Sequence, residues 1–379
     1  MEMKEKIQKV FLEKFGEPDG TFYASAGRIN LIGEHTDYNE GFVFPGAIDK
    51  VIMADIRPNG TDKVRVYSID IDDYAEFGLK EEDAPSQGWA RYIFGICREI
   101  IKRDGKVGGF DAVFAGNVPL GAGLSSSAAL ESCFAFALND LFNDNKIDKF
   151  ELAKIGQSTE HNYCGVNCGI MDQFASVFGK KDHLMRLDCR DLSYEYFPFA
   201  PKNHKLVLLD SRVKHELKDS PYNKRRESCE RVAKAMGLPS LRDASLAELN
   251  AIKISISDED YKRAKYVIEE KDRVLAVCNA LKEGYYKVVG EKMYETHEGL
   301  SKDYEVSCEE LDFLVDVARE CGVTGARIMG GGFGGCTINL VPDDIHDTFI
   351  GTAKQKFNTK YGHEPMVYDV IISDGARKL

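Results

Sequence analysis

A chain of 379 residues with 43% hydrophobic and 30% charged side chains can bury a sizeable core in two or three domains, and no apolar run approaches the roughly 18 residues of a membrane span. Its formal charge of −12 argues against nucleic-acid and membrane partners, and an N-terminus that mixes Glu2 and Glu5 with Lys4 and Lys6 is no secretory signal, so a cytoplasmic protein is expected. The 10 cysteines are scattered among apolar and glycine neighbours, which predicts reduced, mainly buried thiols; Cys164 and Cys168 lack the second pair of a structural zinc site.

In chain order, residues 3–15 carry Ile7, Val10, Phe11 and Phe15 at helical spacing, and the turn Gly16-Glu17-Pro18-Asp19-Gly20 stops them. Strands are predicted around 22–29, 42–57, 63–69 and 74–79, with Pro58-Asn59-Gly60 as a hairpin turn. A helix over 89–101, a strand over 110–115 and a glycine-serine loop lead to a strong helix over 128–141. Asp148, with Glu151 three residues on, opens a helix ending near Asn162, and 169–178 forms another. Short strands return from Leu184, among them 205–210, before a helix-rich region from about 221, after Pro221, to 320. Residues 326–329 enter a second glycine loop and the strand 336–341; a helix over 346–359 and a strand over 367–372 close the pattern. The chain reads as α+β, its halves 1–195 and 196–379 joined without a free linker, with a ligand cleft between them.

Three constellations carry chemistry. In Gly116-Asn117-Val118-Pro119-Leu120-Gly121-Ala122-Gly123-Leu124-Ser125-Ser126-Ser127-Ala128, glycines allow a tight turn that exposes N–H groups beside a helix N-terminus, the make-up of a phosphate cradle. No Gly-Lys-Ser or Gly-Lys-Thr follows, so it is not a Walker A loop, and it fits a dinucleotide fingerprint poorly. Ser126 and Ser127 suit phosphate contact or a metal hydroxyl ligand, the plain alternative being helix caps. The run Arg28 to Asn39 crowds Arg28, Glu34, His35, Asp37 and Asn39 between apolar strands, which suggests recognition of a polyol. In Glu160 to Phe174, Glu160 and Asp172 near a phosphate cradle suit one Mg²⁺ ligand and one base, the sequence leaving open which is which.

Gly27 to Asn39, the loop Pro119 to Ala128, Cys168-Gly169-Ile170-Met171-Asp172-Gln173 and Gly330-Gly331-Gly332-Phe333-Gly334-Gly335 together resemble the signature motifs of the galactokinases, within the GHMP small-molecule kinases. The resemblance implies the GHMP kinase fold, an N-terminal domain like ribosomal protein S5 domain 2 and a C-terminal ferredoxin-like domain. It implies phosphorylation of the anomeric O1 of α-D-galactose by ATP with Mg²⁺, the entry step of galactose catabolism. It further implies Asp172 as the catalytic aspartate with Arg28 its cationic partner, and Glu34, His35, Asp37, Gly169 and Tyr222 around the sugar. Gly121, Ala122, Gly123, Leu124, Ser125, Ser126 and Ser127 would hold the nucleotide phosphates, Ser127 and Glu160 the metal, and Trp89 and Tyr92 would lie near the adenine. A monomer is expected, with a weak dimer as the alternative. Two other readings compete, an N-acetylgalactosamine kinase and a regulator that binds galactose and ATP without transfer. The complete Cys168–Asp172 motif favours galactose, and the presence of both Asp172 and Arg28 favours an enzyme. Val166-Asn167 stand where many relatives have Met-Pro, and the acidic stretch 70–83 reads as a solvated edge.

Overall fold

In the computed structural model, which describes residues 2–16, 20–119, 121–213 and 222–379, the N-terminal amphipathic stretch is helix α1 (Met3–Phe15). It buries Ile7 and Phe11 and is closed by Gly16 in the left-handed conformation. Strands β1 (Thr21–Asn30), β2 (Phe42–Val43), β3 (Pro45–Pro58), β4 (Val64–Ser68) and β5 (Asp73–Phe77) follow, then α2 (Gly88–Lys102) and β6 (Phe110–Gly116). Helices α3 (Ser126–Asn143), α4 (Lys149–Thr159) and α5 (Met171–Phe178) precede β7 (His183–Asp188), β8 (Tyr194–Pro198) and β9 (His204–Asp210). The remainder is α6 (Tyr222–Ala235), α7 (Leu246–Ala251), α8 (Asp258–Lys282), α9 (Tyr286–Glu298), α10 (Glu309–Glu320), β10 (Gly325–Ile328), β11 (Cys336–Pro342), α11 (His346–Tyr361), β12 (Met366–Val370) and β13 (Arg377–Lys378). Glu17–Asp19 of the first turn, Leu120 of the glycine-serine loop and Pro221 before α6 lie outside the described residues.

The described strands form one sheet in the order β13-β1-β3-β6-β4-β5, a second in the order β10-β11-β9-β12, and a small third, β2-β7-β8. The expected hairpin at Pro58-Asn59-Gly60 does not form. Instead β6 lies between β3 and β4, antiparallel to the first and parallel to the second. Its residues are buried on both faces, from Phe110 to Ala115, which suits a central position. The turn is tied to β6, since Asn59 donates from its backbone to the Gly109 carbonyl at 3.1 Å and from its amide to Asp111 at 2.8 Å.

Strand β8 still pairs with β7, and the chain passes to the second sheet only across 199–203, slightly beyond residue 195. Its last strand returns: β13 pairs with β1, Tyr23 opposite Lys378 and Ala24 opposite Arg377. Arg377-Lys378 carries no apolar alternation, so nothing in the sequence announced this strand. One buried cluster joins Ile32, Val43 and Phe44 to Val274, Val277 and Met293 of α8 and α9, so the two halves share a core. All 10 cysteines are free thiols, five of them fully buried. No helix among the described residues is long and apolar enough to cross a membrane.

Candidate active site

Arg28 lies on β1 with its side chain almost fully enclosed, and it grips Asp172 with both ends of its fork. Nε donates to Oδ1 and Nη2 to Oδ2, each at 2.9 Å, while Nη1 reaches the Gly123 carbonyl. Asp172 sits in the first turn of α5, and the Ser125 hydroxyl also donates to its Oδ2. An ionised carboxylate has about four acceptor positions. Three protein donors occupy three of them, which leaves one for a ligand hydroxyl.

The loop that meets this pair turns on Gly121 and Gly123, both at φ +75°, and on Ser125 at φ +57°. Ala122 and Leu124 bury their side chains in the core, so they present only backbone to a ligand. Helix α3 begins at Ser126 without any side-chain cap, so the serines are not the caps of the plain reading, and the first-turn N–H groups stay available to an anion. Ser126 and Ser127 line a slot of about 230 Å³ with Trp89, Tyr92 and Phe114. The Trp89 indole donates to Asp73 Oδ2 at 2.7 Å, and Asp70, which also lines the slot, accepts from the Gly116 N–H at 2.7 Å. The acidic stretch is therefore more than a solvated edge, because two of its aspartates brace the slot. A signal was present in the sequence, a run of acids just before the chain's single tryptophan.

A second, more enclosed pocket brings Glu34, His35, Asp37, Gly169 and Tyr222 together with Arg28 and Asp172. His35, at φ +60°, has its ring among Tyr38, Tyr222 and Tyr304, with centroids 5.8, 5.4 and 4.9 Å away. Nδ1 bonds the Tyr38 hydroxyl at 2.6 Å, and the buried Nε2 has no hydrogen bond of good geometry. Burial, helped by the Arg225 guanidinium, pushes its imidazole down to about 3, so it stays neutral. Burial and the Asp172 charge push Asp37 up to about 7. Asp37 packs directly over Gly169, where any Cβ would overlap its carboxylate. Glu34 Oε1 accepts from the Gly330 N–H at 2.8 Å and from Arg327 of β10.

Glu160 opens a π-turn at the end of α4 (Glu160–Cys164), a local widening common at functional sites. It is buried, bonds Ser127, and has its carboxyl raised by burial and by Asp172. Glu131 on α3 lies beside it, wholly buried, raised by burial and by Glu160, with Oε2 accepting from Gln173 at 3.1 Å and Oε1 unpartnered. The sequence reading missed Glu131, although an acid amid Ala128-Ala129-Leu130 and Cys133-Phe134-Ala135 breaks an otherwise apolar helix. Across the cleft, Gly330 and Gly331 line the enclosed pocket, and Gly330 and Gly335 face the backbone of Gly123 and Ala122, where a Cβ would sit in ordinary contact at 3.6 Å.

The galactokinase galactose-binding signature matches residues 9–58, the GHMP kinases N terminal domain residues 91–180, and the GHMP kinases C terminal domain residues 270–351. The chain is 40% identical over 354 residues to a galactokinase of Thermosipho africanus, covering 93% of this chain and 98% of that protein. It is 41% identical to a galactokinase of Thermotoga petrophila with the same coverage. Among solved structures, a Lactococcus lactis galactokinase complexed with galactose is similar at TM-score 0.94 and 34% identity over 98% of both chains. A Methanococcus jannaschii mevalonate kinase, at TM-score 0.68 and 16% identity over 94% of this chain and 99% of that one, is alike in fold.

Proposed function

The chain belongs to the galactokinases of the GHMP kinase superfamily, and from that membership we propose that it moves the γ-phosphoryl group of ATP to O1 of α-D-galactose, giving α-D-galactose 1-phosphate and ADP. The observation that carries this reading is the Arg28–Asp172 pair in the wall of an enclosed pocket suited to a sugar, tied through Ser125 to the loop whose Ser126 and Ser127 line a slot suited to a nucleotide. We assign the sugar to the enclosed pocket, its hydroxyls meeting Glu34, His35, Asp37, the Gly169 backbone and Tyr222. The adenine goes to the slot beside Trp89 and Tyr92, with the phosphates on the loop 121–127. The halves 1–195 and 196–379 supply the two sides of this cleft, Tyr222, Gly330 and Gly331 coming from the second.

The O1–P bond forms as the bond from Pγ to the bridging oxygen of ADP breaks, the electron pair leaving with ADP. Asp172 has one acceptor position left after Arg28 and Ser125 are served, and the O1 proton belongs there. Arg28 holds that carboxylate still and offsets its charge, so O1 is aimed at Pγ with little reorganisation. The N–H groups of the loop and of the first turn of α3 receive the phosphate oxygens.

The residues present fit a magnesium ion. Buried Glu160 bonds Ser127 and leans on Glu131, whose Oε1 has no partner, an acidic corner that a cation would relieve. Magnesium commonly takes only one or two protein ligands and completes its shell with phosphates and water. Ser127 and Glu160 would hold it, and when bound it would supply charge neutralisation to the phosphates. The test is direct: with galactose and MgATP, ADP release should match the appearance of an α-1-phosphate signal in ³¹P NMR. N-acetylgalactosamine and glucose should turn over far more slowly. Absence of O1 phosphorylation with both ligands bound would overturn the reading.

A further inference from the structure

A carboxylate that recognises a sugar hydroxyl must be held in one charge state and one orientation, and in this fold the grip on Glu34 comes from the opposite half of the chain. Arg327 on β10 is fully buried and spends all of its N–H groups. Nε donates to the Leu31 carbonyl at 2.9 Å, Nη1 to the Ile328 carbonyl at 2.6 Å, Nη2 to the Asn30 carbonyl, and both Nη atoms to Glu34 Oε1 at 3.2 and 3.1 Å. The Gly330 N–H adds a third donor to the same oxygen at 2.8 Å. Oε2 therefore carries no protein hydrogen bond among the described residues, although Glu34 lines the enclosed pocket.

The neighbouring backbone is pinned in the same way. Gly33, at φ +94°, donates to fully buried Glu270 of α8 at 2.8 Å, and the Tyr266 hydroxyl donates to the Glu34 carbonyl at 3.0 Å. Three buried side chains of the C-terminal half thus shape residues 30–34 of the N-terminal half.

We propose that Arg327 is a positioning residue for galactose recognition: by occupying Glu34 Oε1 with a two-pronged buried ion pair, it presents Oε2 to the sugar as a fixed acceptor. The proposal rests on the galactokinase reading. Lysine in its place keeps the charge but cannot reproduce the fork or the three carbonyl contacts. Without any cation, Glu34 would keep one backbone donor in a buried site and would turn away from the sugar.

Steady-state kinetics on full-length wild type, Arg327→Lys, Arg327→Met, Glu34→Gln and the two double variants tests this. Wild type should phosphorylate galactose; if it does not, the functional reading fails, independently of Arg327. If it does, Arg327→Lys should raise galactose KM roughly 10-fold while ATP KM stays within about 2-fold and kcat falls less than KM rises. Arg327→Met should raise galactose KM about 30-fold or more. Because Arg327 acts through Glu34, each double variant should be no worse than about 3-fold beyond its worse parent, rather than the product of both effects. Should Arg327→Met fail to fold, the cycle with Arg327→Lys decides. An unchanged galactose KM in Arg327→Lys, equal damage to galactose and ATP KM, or multiplicative double variants would overturn the proposal.

Discussion

Asp172 accepts three protein donors, two of them from the Arg28 guanidinium and one from Ser125, so its carboxylate is fixed in place to aim a hydroxyl. Replacing it with asparagine keeps the shape but loses the anion that, in the proposed reaction, receives the O1 proton. Asp172→Asn should lower kcat by about 1,000-fold while galactose binding, followed by titration calorimetry, changes little. Turnover near wild type would remove Asp172 from its role. Asp37 makes a different prediction, because its carboxyl is raised to about 7 in the folded chain. The native protein then binds a proton that the unfolded chain releases above about 4. The stability this group contributes is present at low pH and is lost as pH rises through 7. Relative to wild type, Asp37→Asn should therefore gain Tm steadily between pH 4 and 7 and then level off. A Tm difference independent of pH would contradict the raised carboxyl. His35, pushed down to about 3, stays neutral in the native protein while the unfolded chain protonates it below about 6.5; it lowers stability as pH falls through that value, equally in wild type and Asp37→Asn, and so cancels from the difference.

Among elements, the two glycine loops do different work. Gly121 adopts φ +75° with open space where a Cβ would project, whereas Gly332, at φ +80°, would drive a Cβ into the Val306 backbone. Gly121→Ala should cost about 1–2 kcal/mol from the left-handed backbone alone, and Gly332→Ala clearly more, as read by urea denaturation. Equal costs would mean that Val306 moves aside freely. The motifs that carry these loops were legible in the sequence because a tight turn beside a helix N-terminus demands glycine and small hydroxyls. Serine capping, equally compatible with the sequence, was decided by the structure: α3 has no side-chain cap, and Ser125 serves Asp172 instead. Likewise, the residues 58–60 announced a turn but not its partners, and only the central placement of β6 excluded the hairpin.

At the scale of the molecule, the chain's last strand closes the edge of its first sheet. Lys378 bonds Asp140 at 2.8 Å, and the Leu379 N–H donates to the Phe22 carbonyl at 2.9 Å. Deleting Arg377–Leu379 would expose the β1 edge as an unpaired template. The truncated protein should melt several degrees lower and aggregate sooner, while its galactose KM just above the melting onset of neither form, at 20 °C, remains close to wild type. An unchanged Tm would show that β13 adds nothing to the sheet. The sequence by itself determined the α+β class, the two glycine loops of the cleft and the residues gathered there, and through the resemblance of its motifs the galactokinase family, since these rest on local patterns of glycine, hydroxyl and charge. Tertiary structure alone decided that Arg327 and Glu270 grip the segment 30–34, that Glu131 stands beside Glu160, and that β13 returns to β1. Each of these is a contact between residues far apart in the chain, which local sequence patterns cannot pair until the elements that carry them are packed together.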